Sequence, residues 1–100
     1  MNTQRERTLK EDLDHIEKYV NKICKEAKIT TKEINLERYN KAQEYLRIFH
    51  NKYNNLPQTM SYSEITKIHG ESPMNMAVRI QILNIQLEQF KNWILKQQNE

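Results

Sequence analysis

Several side chains able to contact nucleic acid follow the only glycine of the chain. A serine hydroxyl can bind a backbone phosphate, an asparagine amide matches adenine, and an arginine guanidinium matches guanine or phosphate. Three such residues lie close together, at a spacing that faces outward on the first two turns of a helix. With two neighbours they form the DNA-binding surface that we expect, made of Ser72, Met74, Asn75, Arg79 and Lys67.

Patterns that support enzyme chemistry are not found. The sequence has no Gly-rich phosphate loop and no paired-carboxylate site in a recognisable setting, and its three histidines and one cysteine lack the spacing of metal ligands. The single cysteine, Cys24, excludes an internal disulfide. We therefore expect neither catalysis nor a bound metal or cofactor.

The candidate residues lie at the junction of two predicted helices. Ser61 and Glu64 have the spacing of a capping box, which predicts a short helix that begins at Ser61. Gly70 is suited to end that helix in a left-handed conformation. Ser72 and Pro73 then have the residue types of an N-cap and a first helical position. So short a connection makes the two helices cross steeply, which is typical of a helix-turn-helix.

The residues of this junction resemble the helix-turn-helix of sigma-factor region 4 and of LexA-type repressors. The resemblance is carried by the pattern SYxEIxxIxGxSxxxMxxRI over residues 61–80. The preceding segment, KAQEYLRIFHNKYNNLPQTM over residues 41–60, is similar to the first helix and Pro-containing loop that precede the motif in LexA-type winged helices. The resemblance implies that double-stranded DNA is the partner and that the helix beginning at Pro73 enters the major groove.

Two further helices are predicted upstream. Apolar residues at the spacing of a heptad seam predict an N-terminal helix, and these are Leu9, Leu13, Ile16, Val20, Ile23 and Ala27. This helix either packs on the rest of the domain, or it self-associates or binds a protein partner through residues 9–27. Thr30 and Glu33 suggest a capping box for a second helix over residues 31–54. Its expected inner face is formed by Ile34, Tyr39, Ala42, Leu46, Phe49 and Tyr53, widened by Tyr45 and Ile48.

The last predicted helix, from Pro73 to about Lys96, carries two apolar stripes. One consists of Ala77, Ile80, Leu83, Leu87, Phe90 and Ile94, and the other of Val78, Ile82, Ile85 and Trp93. So wide an apolar arc needs cover from a second copy or from the N-terminal helix. We expect a homodimer whose interface is formed by Ile85, Leu87, Phe90, Trp93 and Ile94.

The sequence therefore predicts an all-α fold, a single small four-helix domain that contains a helix-turn-helix and has no clear wing. Residues 1–28 would form the N-terminal heptad helix, residues 31–83 the helix-turn-helix core, and residues 84–97 an extension of the last helix. No apolar run reaches the length of a membrane span, so a cytoplasmic protein is expected. Lys, Asn and Ile occur eleven times each, a bias common in AT-rich bacteria and their plasmids and phages.

The charge distribution leaves two functions open. Net charge is +3, but residues 61–100 contain four basic and four acidic residues, so the expected DNA-reading unit is neutral. Since phosphate contacts supply most of the sequence-independent affinity for DNA, such a unit would need cations from elsewhere, such as Arg38, Lys41, Arg47 and Lys52. The first hypothesis is a small transcriptional regulator of the kind that phages and plasmids encode. The alternative is a helical protein–protein interaction module, such as an antirepressor or an inhibitor of a host protein, that does not bind DNA.

Overall fold

A computed structural model describes residues 7–97, and every regular element in that range is helical. The α-helices are α1 (Leu9–Glu26), α2 (Lys32–Asn54), α3 (Tyr62–His69) and α4 (Pro73–Lys96), with a 3₁₀ helix (Ala27–Ile29) after α1. Helices α1, α2 and α4 each pack against the other two, while α3 packs against α1 and α4. The predicted all-α, four-helix architecture is confirmed. Of the predicted 1–28 helix, residues 7 and 8 precede the start of α1, which ends at Glu26, and residues 1–6 lie outside the described range.

Helix α1 begins at a cap that the heptad pattern did not indicate. The Thr8 hydroxyl accepts a hydrogen bond from the backbone N–H of Glu11, and the Glu11 carboxylate accepts one from the N–H of Thr8. Two orphan N–H groups at the helix start are thereby satisfied. All six residues of the predicted seam are buried in the core between α2 and α4. A protein partner therefore could not use those six side chains.

Helix α2 begins one residue later than the predicted capping box required. Its N-cap is Thr31, whose hydroxyl accepts from the N–H of Ile34, whereas Thr30 takes no part in that cap. The Thr30 hydroxyl instead hydrogen-bonds to Asn35, a buried polar residue that the apolar pattern missed. Thr31 therefore caps α2 with Ile34 three residues later, although the capping-box spacing of Thr30 and Glu33 favoured Thr30.

The inner face of α2 is narrower than the sequence suggested. Ala42, Leu46 and Phe49 are buried, and the tyrosines at 39, 45 and 53 are partly buried against the core. Ile34 and Ile48 are exposed, contrary to expectation. Only the stripe of α2 that faces α1 and α4 is buried.

Helix α3 is short and fixed at both ends. Ser61 and Glu64 form the predicted capping box. At the other end, the His69 imidazole accepts a hydrogen bond of 3.1 Å at Nδ1 from the backbone N–H of Leu9. Ile65 is buried, whereas Ile68, three residues later, is exposed. Helix α3 thus lies on the start of α1 and leaves one side open to solvent.

Helix α4 buries one of its two apolar stripes. The buried residues recur at heptad spacing and are Pro73, Met76, Ile80, Leu83, Leu87, Phe90 and Ile94. Ala77, expected in this stripe, is exposed, and Met76 takes its place. The second stripe faces away from the core. Within residues 7–97, no helix is both long enough and apolar enough to cross a membrane.

Candidate functional site

The junction between α3 and α4 has the local geometry that the sequence predicted. Gly70 ends α3 with φ 81°, and its N–H donates to the Thr66 carbonyl at 2.9 Å. The Ser72 hydroxyl caps α4 by accepting from the N–H of Asn75 at 3.1 Å, and Pro73 occupies the first turn. Three residues therefore suffice to end one helix and begin the next.

Arg79 is the expected contact residue that departs most from prediction. Its guanidinium donates to Glu71 at 2.6 Å, to Asp14 at 2.7 Å and to Glu17 at 2.5 Å. Only 20% of the side chain is exposed. Burial opposes the charged form, but the hydrogen bonds to the three carboxylates outweigh it and raise the pKa of Arg79 above its usual value. The expectation that Arg79 faces outward for DNA is wrong, because its donors are occupied by acids of α1 and of the junction.

Two more of the expected contacts are also engaged within the chain. The Asn75 side-chain amide donates to the second oxygen of Glu71 at 2.6 Å. The Ser72 hydroxyl accepts the capping hydrogen bond of α4 and is half-buried. Met74 and Lys67 are exposed as expected. Glu71 is the residue that sequence reasoning missed: it precedes the N-cap of α4, so helical spacing gave no signal that it would contact Asn75 and Arg79.

The cations that could have supplied charge to a neutral reading unit are largely occupied. Arg38 is paired with Glu26 at 2.7 Å, Arg47 with Glu44, and Lys52 with Asp12 at 2.9 Å. The Lys41 ammonium lies over two tyrosine rings, 5.7 Å from the centroid of Tyr19 and 5.9 Å from that of Tyr45. Arg38, Arg47 and Lys52 could neutralise DNA phosphates only if their ion pairs broke.

An apolar stripe on the outer face of α4 is the most prominent exposed feature of this region. Met74 is 73% exposed, Val78 47%, Ile82 52% and Ile85 58%. At about 100° per residue, the stripe lies nearly opposite the buried stripe of the same helix. The only charged residue of residues 73–87 is Arg79, which three carboxylates already bind. The first four turns of α4 therefore present an uncharged, apolar outer surface.

Comparison with protein-family models, characterised proteins and solved structures finds no match. The resemblance to a helix-turn-helix therefore rests on residues 41–80 of this sequence alone.

The expected dimer residues do not share one face. Leu87, Phe90 and Ile94 are buried in the core of their own chain, so they cannot also form a surface for a second copy. Ile85 is exposed and Trp93 is partly exposed at the edge between α4 and α1. Five large apolar residues in ten positions necessarily surround much of a helix, and α1 and α2 cover one side of it. The spacing of these residues along α4 did not indicate which side of the helix α1 and α2 would cover.

Proposed function

We propose that this chain is a small helical protein–protein interaction module that binds through the outer face of α4. One observation carries the proposal. Met74, Val78, Ile82 and Ile85 form an exposed line at positions i, i+4, i+8 and i+11, and no unpaired charge interrupts it. Helices that dock on a partner present apolar anchors at this kind of spacing.

The composition of this face matches the centre of a protein interface. Interface cores are depleted of charged residues and enriched in methionine and aromatic side chains. The stripe is flanked by the amide side chains of Gln81, Gln86 and Gln89, which can hydrogen-bond at a polar rim. A surface that binds DNA needs cations instead, since each phosphate contact releases counterions only when a positive charge replaces them.

The size of the stripe indicates a modest affinity. Full burial of a large apolar side chain contributes roughly 1.5 to 3 kcal/mol, so covering the exposed half of four such side chains gives about 3 to 6 kcal/mol. Association entropy opposes binding by a comparable amount. A partner must therefore add hydrogen bonds from the flanking amides or contacts beyond the stripe.

The test is affinity capture with variants that change only the outer face. Ile82→Glu places a charge at the centre of the stripe, whereas Leu95→Glu places the same charge at a similarly exposed leucine elsewhere on α4. We expect a discrete protein to be retained from a bacterial extract by the wild-type chain and by Leu95→Glu, and lost with Ile82→Glu. Circular dichroism should show the same helix content for all three. Identical retention by both variants would count against the outer face as the binding surface.

A helix-turn-helix regulator is the second candidate, favoured by the left-handed Gly70 and the Ser72 cap at the α3–α4 junction. In that case Lys67 and Met74, both exposed, would be the side chains nearest to DNA. Titration with duplex DNA at several salt concentrations separates the candidates. A regulator gives an affinity that falls steeply with salt and is weakened by Lys67→Ala. The interaction module gives no salt-dependent binding to DNA.

A further inference from the structure

The positive charge of this protein is concentrated at one end of the molecule. Residues 18–41, which include the second half of α1, the 3₁₀ helix and the first half of α2, contain seven basic and three acidic residues. The other residues of the chain contain nine basic and ten acidic ones. We call residues 18–41 the basic tip. Leu9, at the start of α1, contacts His69 of α3, and the other end of α1 is about 26 Å away, so the tip is remote from the α3–α4 junction.

The lysines of the basic tip are available to an anionic partner. Four exposed lysines form no ion pair with another residue of the described range 7–97, and these are Lys18, Lys22, Lys25 and Lys28. The first three recur at intervals of four and three residues, so they lie on one side of α1. Of the three acids in the tip, Glu26 is already paired with Arg38 at 2.7 Å. With Glu33 and Glu37 counted, the tip keeps a net charge of +4.

Apolar side chains lie among these lysines. Ile29 of the 3₁₀ helix is 84% exposed, more than any other large apolar residue of the described range. It lines a surface groove together with the first three lysines of the cluster. Trp93 of α4, 37% exposed, lines a second groove with Lys28. An isoleucine and an indole ring are therefore accessible within a cluster of unpaired cations.

We propose that the basic tip docks on the surface of an anionic lipid bilayer. Clusters of about four to eight cations bind acidic headgroups, and apolar and indole side chains are stabilised at the boundary between headgroups and acyl chains. The lysines can keep their ammonium groups among the phosphates while their apolar stems follow Ile29 into that boundary. Such docking needs no membrane-spanning helix. It goes beyond the proposed function, because it uses a surface separate from the outer face of α4.

The exposed isoleucine favours a bilayer over the other anionic partners. A nucleic acid would bind the lysines through its phosphates, but burial of an aliphatic side chain would not strengthen that contact. A protein partner would need a pocket shaped for Ile29 and Trp93, with acids at positions that match the lysines. A fluid bilayer receives both apolar side chains without a preformed pocket.

Cosedimentation with lipid vesicles tests the inference. The wild-type chain should bind vesicles of equal parts phosphatidylcholine and phosphatidylglycerol at low ionic strength, and it should not bind vesicles of phosphatidylcholine alone. Binding should weaken as added salt screens the lysines. Trp93 fluorescence should shift to shorter wavelength on binding. No binding to the anionic vesicles, or equal binding to both kinds, would overturn the inference.

Matched substitutions test whether the basic tip is the part that docks. Lys22→Gln should weaken vesicle binding about fivefold, whereas Lys67→Gln, at an exposed lysine of α3, should leave it unchanged. Ile29→Ser should weaken binding about tenfold. Its control is Ile68→Ser, at a 53% exposed isoleucine of α3, which should bind as the wild type does. Circular dichroism should show the same helix content for all four variants. Ile29→Ser binding as well as Ile68→Ser would overturn docking through the tip.

A fluorescent single-stranded oligonucleotide, titrated without vesicles, tests nucleic acid as the partner. Salt-dependent binding to the oligonucleotide that Ile29→Ser leaves unchanged, together with no binding to anionic vesicles, would assign the lysines to nucleic acid and overturn the inference. All of these variants keep the outer face of α4 intact. The outcome is therefore independent of the capture experiment with Ile82→Glu.

Discussion

The Arg79 guanidinium donates a 2.6 Å hydrogen bond to Glu71, a charged residue that is only 8% exposed. Glu71 lies in the three-residue connection between α3 and α4, and its other carboxylate oxygen accepts from the Asn75 amide. The same guanidinium binds Asp14 and Glu17 of α1. One cation therefore joins the junction, α4 and α1. A buried carboxylate without such a partner would be costly, so this pair makes the position of the junction depend on α1.

Arg79→Ala should lower the free energy of unfolding by about 2 to 3 kcal/mol. The substitution leaves the Glu71 carboxylate buried with only the Asn75 amide as a donor. We place the effect near the lower end for a buried ion pair because Asp14 and Glu17 are about half exposed and can be solvated instead. Urea unfolding followed by circular dichroism measures the change.

Arg47→Ala is the matched control for that experiment. Arg47 is paired with Glu44 on the surface of α2, where both side chains are more than half exposed. Exposed pairs of this kind contribute little, so the control should change stability by less than about 0.5 kcal/mol. Equal effects of the two substitutions would contradict a special role for the Arg79 network.

Acid should weaken the contact between α1 and α4 through Asp14. A hydrogen bond from the Lys10 ammonium, and then one from Arg79, lowers the pKa of the Asp14 carboxyl below its usual value of 3.8. Since the folded state then binds protons less readily than the unfolded state, the stabilisation is present above that value and is lost as pH falls through the folded-state pKa. Asp14→Asn lacks this titration. The stability difference between the wild type and Asp14→Asn should narrow as pH falls from about 5 to about 2. A constant difference would indicate that Asp14 contributes nothing through its charge.

Gly70→Ala should destabilise the chain by about 1 to 2 kcal/mol, because φ is 81° there and a Cβ is disfavoured in that region. Gly70→Asn should cost less, since asparagine tolerates the left-handed conformation. A Cβ at Gly70 would also lie 3.2 Å from Cδ of Lys10. Repeating Gly70→Ala in a Lys10→Ala background separates the two causes. If the cost disappears in that background, the Lys10 contact rather than the backbone conformation is responsible.

Asn35→Ala should cost roughly 1 to 3 kcal/mol, measured by urea unfolding. The Asn35 amide donates to the Ala27 carbonyl at 3.0 Å and to the Gln97 side chain at 2.8 Å, and it lies fully buried where the ends of α1, α2 and α4 meet. Its removal leaves the Ala27 carbonyl without that donor. Gln97→Ala should cost less, because Gln97 is only half-buried and water can replace it. A larger loss with Gln97→Ala than with Asn35→Ala would contradict this order.

Features set by neighbouring residues were predictable. The capping box at Ser61, the left-handed Gly70 and the start of α4 at Ser72 and Pro73 each depend on contacts within four residues, and all are confirmed. The α1 seam was predictable because one face of that helix is apolar and the others are charged. The start of α2 was predicted one residue early, because the spacing of Thr30 and Glu33 favoured Thr30 as the cap, whereas Thr31 caps the helix.

The candidate site was predicted less well, because its residues depend on partners far away in the chain. Arg79 meets Asp14 and Glu17, which are 65 and 62 residues distant, so its spacing on α4 suggested an outward contact where an ion-pair network exists. The same limit applies to the apolar residues of the last helix. Leu87 and Ile85 are both large apolar residues, yet Leu87 is buried and Ile85 is 58% exposed.

The sequence by itself determined that the chain forms four helices, where α3 begins and ends, where α4 begins, and which residues of α1 face inward. Caps, glycine conformation and helical periodicity are local properties, and they act before any helix meets another. Only the tertiary structure decided which apolar stripe of α4 is buried, and that carboxylates of α1 bind the Arg79 guanidinium. Both outcomes follow from how α1 and α2 pack on α4. Burial and ion pairing depend on distances between helices, and the spacing of residues along a single helix does not specify those distances.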